Sequence, residues 1–147
     1  MIGAALAPPL EYAAMSIFRS AHALLAVTSE TNSPQTGTGY TVLPEEADGI
    51  SDANQSFKAF FDVTQSGGAT SPTTDVHLQT SHDGTNWVNV VSATQLTADG
   101  AVHEFKDVSA IGPFVRAVSA LGGGTAPNHT VTVKLASNGP FRLLALS

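Results

Sequence analysis

Five histidines, His22, His77, His82, His103 and His129, are the side chains of this chain best suited to metal ligation or proton transfer. No two of them stand in an HExxH pair or at another close ligand spacing. His77 and His82 fall in one predicted hairpin, but an odd separation along a strand sends side chains to opposite faces. Surface or cross-strand polar roles are therefore expected for them. Serine, histidine and aspartate all occur, yet no GxSxG elbow marks one serine as a nucleophile. The glycine run Gly122, Gly123, Gly124 lacks the Lys-Ser/Thr that completes a phosphate loop. An acidic group, Glu45, Glu46, Asp48 and Asp52, could hold Ca²⁺, but its spacing is not that of an EF-hand, and a solvated loop is expected. With no cysteine there is neither a disulfide nor a thiolate metal site. These residues predict a protein that is not an enzyme and has no cofactor.

Composition narrows the partners. The chain has 147 residues, enough for one domain with a core. Only 12% are charged, and the formal net charge is −6. The six cations, Arg19, Lys58, Lys106, Arg116, Lys134 and Arg142, are scattered. No basic stripe exists to neutralise phosphates, so nucleic acid is not an expected partner. The apolar N-terminus is interrupted by Pro8, Pro9, Glu11 and Arg19 before it reaches signal-peptide or membrane-spanning length, and no membrane partner is expected.

The elements that must position any site read as strands. Over 74–91, Val76, Leu78 and Thr80 alternate with Asp75, His77, Gln79 and Ser81, the pattern of a half-buried strand. Asp83-Gly84 supplies the turn, because glycine reaches positive φ without a Cβ clash. Trp87 follows on the return strand. It is the only tryptophan, and burial in the core is the expectation for so large an apolar side chain. An exposed Trp87 would instead suit sugar stacking. Residues 56–64 place Phe57, Ala59, Phe61 and Val63 on one face, with Lys58, Phe60, Asp62 and Thr64 on the other. Further strands are predicted at 23–28, 40–43, 101–106, 114–120 and 129–136, the last with Val131, Val133 and Leu135 inside. Short strands divided by Gly, Pro and Asn turns predict an all-β fold, an antiparallel sandwich or jelly roll.

Residues 1–21 are read as an arm and 22–147 as the β-domain. In the arm, Leu10, Ala13, Ala14, Ile17, Phe18, Ala21 and Leu25 recur at spacings of three and four, compatible with a short amphipathic helix after an extended Pro8-Pro9 start. Leu10, Ile17 and Phe18 are expected to contact another chain. So are the outward Phe60 and the apolar tail residues Phe141 and Leu143. The tail itself reads as a last strand or a contact arm.

From Lys58 onward, KAFFDVTQSGGATSPTTDVHLQTSHDGTNWVNV and GPFVRAVSALGGGTAPNHTVTVKLAS resemble small virion proteins of tailed bacteriophages. The shared landmarks are an aromatic strand ending in Asp-Val-Thr, an S-x-D-G-T-x-W hairpin, an FVRAV strand and a Gly-Thr-x-Pro loop before an alternating final strand. They cover about ninety residues. The resemblance implies a β-sandwich acting as a head decoration, or cement, protein on the capsid surface. Its partner would be the major capsid protein, with self-association into an oligomer. No catalytic residue is carried over. Two other classes fit the same sandwich: a carbohydrate-binding or adhesive virion module, and a tail or neck component.

Overall fold

The computed structural model describes residues 20–31, 35–45, 55–67, 71–122 and 128–147, with side chains at 20 and 26–31 left aside. The described residues form ten strands: β1 Ser20–Thr31, β2 Gln35–Thr36, β3 Tyr40–Pro44, β4 Phe57–Ser66, β5 Thr73–Ser81, β6 Trp87–Ser92, β7 Gly100–Val108, β8 Phe114–Gly122, β9 Asn128–Ser137 and β10 Phe141–Ala145. They form two antiparallel sheets packed face to face. The first has the order β1-β9-β4-β7, and the second β10-β3-β8-β5-β6 with β2 beside β8. The protein is an antiparallel β-sandwich.

Alternation explains why these segments are strands and which way each faces. In β4, Ala59, Phe61 and Val63 are buried; in β9, Val131, Val133 and Leu135; in β5, Val76 and Leu78. These residues meet Val115 and Ala117 of β8 in one core between the sheets. A one-residue slip would turn every one of them to solvent, which pins the register. Phe57, at the start of β4, packs against the core edge while remaining partly exposed.

Toward one end the interior becomes polar. Gln65, Thr74, Ser119 and His129 are all buried. Thr74 Oγ1 donates to Gln65 Oε1 at 2.6 Å, and Ser119 Oγ lies 3.4 Å from His129 Nε2. Gln65 and His129 are cross-strand neighbours. These pairings satisfy most of the groups that would otherwise be costly to bury, and leave Gln65 Nε2 without a hydrogen-bond partner.

Several elements depart from the sequence reading. The helical spacing does not hold through Ala21 and Leu25, because both lie in β1, which pairs with β9. The first sheet offers that segment a ladder of backbone hydrogen bonds, and tertiary pairing overrides a weak local periodicity. Residues 20 and 21 thus belong to the sandwich rather than to the arm. β2 lies outside the strands expected from alternation, in a stretch rich in Ser, Asn, Pro and Gly between the strands expected at 23–28 and 40–43. The hairpin connection is a five-residue loop, residues 82–86, in which Gly84 has φ 75°.

Candidate interaction surfaces

On the outer face of the first sheet, the residues of β4 that do not enter the core are matched one for one by β7. Lys58 lies opposite Asp107, Phe60 opposite Phe105, Asp62 opposite His103 and Thr64 opposite Ala101. Directly opposed side chains are the units of contact in an antiparallel sheet. The two phenyl rings lie 5.5 Å apart, tilted by 37°. Lys58 forms an ion pair with Asp107, and its Nζ also sits 5.4 Å from the centre of the Phe105 ring. His103 Nδ1 donates to Asp62 Oδ1 at 2.8 Å. On the other flank Lys134 of β9 lies opposite Phe60. Phe60 is half-buried, whereas Phe105 leaves 61% of its surface open. An apolar centre ringed by paired charges has the anatomy of a protein-binding patch.

The outer face of the second sheet carries Trp87. This residue lies opposite Ser81, which in turn lies opposite Phe114. That parity is shared with Asp75, His77 and Gln79, and not with the buried Val76 and Leu78. Trp87 is therefore outside the core, contrary to expectation. The five-residue loop and a register shift between Leu78 and Gln79 decide which face it takes. Its ring is only half-exposed, because the chain covers it. The Arg116 guanidinium lies 4.4 Å from the ring centre, held there by Nε donating to Gln79 Oε1 at 2.8 Å. Burial lowers the Arg116 pKa from its ordinary value. Gly39 lies against the indole edge and Leu146: a Cβ at this position would come within 3.3 Å of the ring and 2.9 Å of Leu146. The Leu146 N–H donates to the Gly39 carbonyl at 2.8 Å, which fixes the tail over this spot.

The loop between β5 and β6 is organised by one carboxylate. Asp83 Oδ1 accepts from the N–H groups of Asn86 at 2.7 Å and Thr85 at 2.8 Å, and Oδ2 from Asn86 Nδ2 at 2.7 Å. Ser81 Oγ also donates to Oδ1, at 2.9 Å. These donors, the Asn86 N–H first, hold the Asp83 pKa well below the usual carboxylate range. Beside the loop is a cleft of about 380 Å³ lined by Thr80, Val88, Ile111 and Gly112. Its only carboxylate among the described residues is Asp83, already committed to the turn.

The expected contact residues separate in the structure. Leu10, Ile17 and Phe18 lie outside the described residues. Phe60 faces outward, with Phe105 beside it. Phe105 was not singled out in the sequence, although β7 alternates: Ala101, His103, Phe105 and Asp107 are exposed, and Val102, Glu104, Lys106 and Val108 partly covered. Phe141 is corrected: at 3% exposure it belongs to the core, edge-on to His22 and Phe57 at 4.6 and 5.4 Å between ring centres. Leu143 shares its face and packs against the core. The large exposed apolar residue of the tail strand is Leu144. Of the acidic group, Glu45 binds Arg142 Nε at 2.7 Å, and Glu46, Asp48 and Asp52 lie outside the described residues. No cluster of three His, Asp or Glu suited to a metal occurs among the described residues. His77 Nδ1 meets Ser92 Oγ at 2.6 Å across the β5–β6 pair, a cross-strand polar contact.

Fold and surfaces together define an antiparallel β-sandwich that presents structured faces. No protein-family model matches the chain, and neither curated proteins nor solved structures give a match.

Proposed function

We propose that this protein is a structural binding subunit of a virus particle, a decoration protein on the head surface of a tailed bacteriophage. It would dock on the major capsid protein through the outer face of its first sheet and would self-associate. The observation that carries this reading is the Phe60–Phe105 pair, set in the middle of a paired ladder and open to solvent. Burying an aromatic anchor inside a polar rim is how a few residues come to dominate binding. The ladder beneath holds the rings in place before contact, which lowers the entropic cost of docking. The viral setting comes from the landmarks shared with phage virion proteins, and a non-catalytic role is part of the same reading. Particles lacking the protein should assemble but lose their genome more readily on heating or at low ionic strength. Full heat resistance without the protein would contradict the reading, and recovery of the protein with tails rather than heads would favour the tail or neck assignment.

A second reading draws support from the outward placement of Trp87. Gln79, Asn89 and Arg116 offer amide and guanidinium groups around the indole, and Gln79 Nε2 donates to Asn89 Oδ1 at 2.9 Å. Aromatic rings flanked by such groups suit a glycan. Arg116 covers one ring face, however, so stacking would require the other. Particles that keep their heat resistance but fail to adsorb to cells would favour this alternative.

A further inference from the structure

We infer that the outer edge of β10 is a self-pairing interface, at which a second copy of this chain adds its own β10 antiparallel across a twofold axis. The inference rests on the self-association included in the proposed function, and not on its docking to a capsid.

The hydrogen-bond parity of β10 is fixed by its neighbour. Glu45 N–H donates to the Pro140 carbonyl at 2.9 Å, and Leu146 N–H to the Gly39 carbonyl at 2.8 Å. Bonded pairs recur at every second residue of an antiparallel ladder. Arg142 and Leu144, opposite Leu43 and Thr41, therefore bond toward β3. Phe141, Leu143 and Ala145 turn their backbone groups away from β3, and β10 ends the sheet among the described strands. One of these groups is met: His22 Nε2 donates to the Phe141 carbonyl at 3.1 Å. That carbonyl retains a second lone pair.

The other edges carry devices that discourage pairing. β1 has two register shifts along its ladder with β9, and such bulges twist an edge away from a partner. On the opposite side of the sandwich, Lys106 Nζ of β7 donates to the Ser92 carbonyl of β6 at 2.7 Å, and Thr94 donates to Glu104 through its N–H at 2.5 Å and its hydroxyl at 3.0 Å. β10 keeps a regular register with β3 and carries one such contact, from His22 to the Phe141 carbonyl, which leaves the backbone groups of Leu143 and Ala145 outward. Its sequence is Phe-Arg-Leu-Leu-Ala, with no proline and one charge, Arg142, drawn toward Glu45 at 2.7 Å.

The edge is complementary to itself. A twofold axis at Leu143 pairs that residue with its own counterpart and Phe141 with Ala145 of the partner subunit, so that each outward N–H meets an outward carbonyl. On the outer face Arg142 then lies beside Leu144 of the partner subunit. Leu144, 61% exposed in the single chain, gains cover from the aliphatic stem of that arginine. Twofold dimers are the commonest soluble assemblies. A five-residue strand pair covers less than the roughly 1,000 Å² of a stable interface, so the pairing strengthens where copies are held close together.

The absence of native cysteine allows a register test on the full chain in solution. Arg142→Cys and Leu144→Cys are made separately and oxidised alone and as a mixture. In the inferred pairing, positions 142 and 144 of the two copies are about 4.5 Å apart between Cα atoms, as in other non-hydrogen-bonded pairs. Like positions sit on a diagonal of about 7–8 Å, outside the usual disulfide range of about 4.4–6.8 Å. The mixture should form disulfide dimers about a hundredfold faster than either variant alone, the low end of a proximity advantage. Adding Ala145→Pro to both chains, which removes an outward N–H without touching the β3 ladder, should abolish that advantage while circular dichroism stays that of the sandwich. Equal rates in the mixed and single reactions would overturn the inference, as would an advantage that survives Ala145→Pro. Either result leaves capsid docking untouched, because no particle takes part.

Discussion

The two outer faces of the sandwich each carry aromatic side chains and treat them in opposite ways. On the first sheet, Phe60 and Phe105 stand together over a ladder whose charges pair around them, and Phe105 stays 61% exposed although the Lys58 ammonium lies 5.4 Å from its ring centre. On the second, Trp87 is covered by its own chain, with Arg116 over the ring and Gly39 and Leu146 at its edge. Covered aromatic surface already contributes to folding, whereas open aromatic surface has its burial energy still available for a partner. In the proposed function the Phe60–Phe105 face serves binding, and the Trp87 face chiefly stability.

Substitutions can break or sharpen that contrast. The largest loss of stability should come from neither face but from the core between them. Leu78→Ala, at a fully buried site, should cost about 2–5 kcal/mol in denaturant unfolding. A cost near zero would mean that the inner faces are wrongly assigned. Next, Phe105→Ala should weaken docking by about 2 kcal/mol or more, as expected of a central aromatic anchor. Its unfolding free energy should change by only about 0.5 kcal/mol, as at other exposed positions.

Trp87→Ala should do the reverse. Loss of a half-covered indole and its cation–π contact should cost about 1–3 kcal/mol of stability and leave docking at wild-type strength. Substantial loss of both properties in either variant would erase the distinction between the faces.

The smallest effect concerns acid. Hydrogen bonds lower the folded-state pKa of Asp83, so its contribution is present above the ordinary carboxylate value of 3.8 and is lost as pH falls through the depressed folded value. Asp83→Asn should therefore lower stability modestly near neutrality, where the ionised contribution is fully present, and flatten the pH dependence below about pH 4, where variant and wild type converge. A loss that persisted undiminished in acid would show that geometry, not ionisation, is what Asp83 supplies.

Much of this arrangement was legible in the residues, for a physical reason. β4, β5 and β9 each bury one face, so their alternation identifies the core side at Phe61, Val76, Leu78, Val131, Val133 and Leu135 without reference to their partners. The outward direction of Phe60 follows from the same parity. Trp87 was not legible, because its face depends on loop length and on a bulge in the opposing strand. The short strand β10 offered two apolar sets, Phe141 and Leu143 on one face and Leu144 on the other. Nothing local says which set meets the core; the sheet above and the His22 and Phe57 rings decide it. Phe105 could have been found by extending alternation through β7, where His103 and Asp107 mark the outward parity. Its pairing with Phe60 could not, since the two residues lie 45 positions apart in the chain.

Attachment of purified Phe105→Ala and Trp87→Ala proteins to particles lacking this subunit, measured by co-sedimentation across a concentration series, tests the central claim most directly. Phe105→Ala should need about thirtyfold more protein for half-occupancy, the equivalent of about 2 kcal/mol. Trp87→Ala, folded at the assay temperature, should match the wild type. Unchanged attachment of Phe105→Ala, with attachment lost in folded Trp87→Ala, would contradict the account and move the binding face to the second sheet.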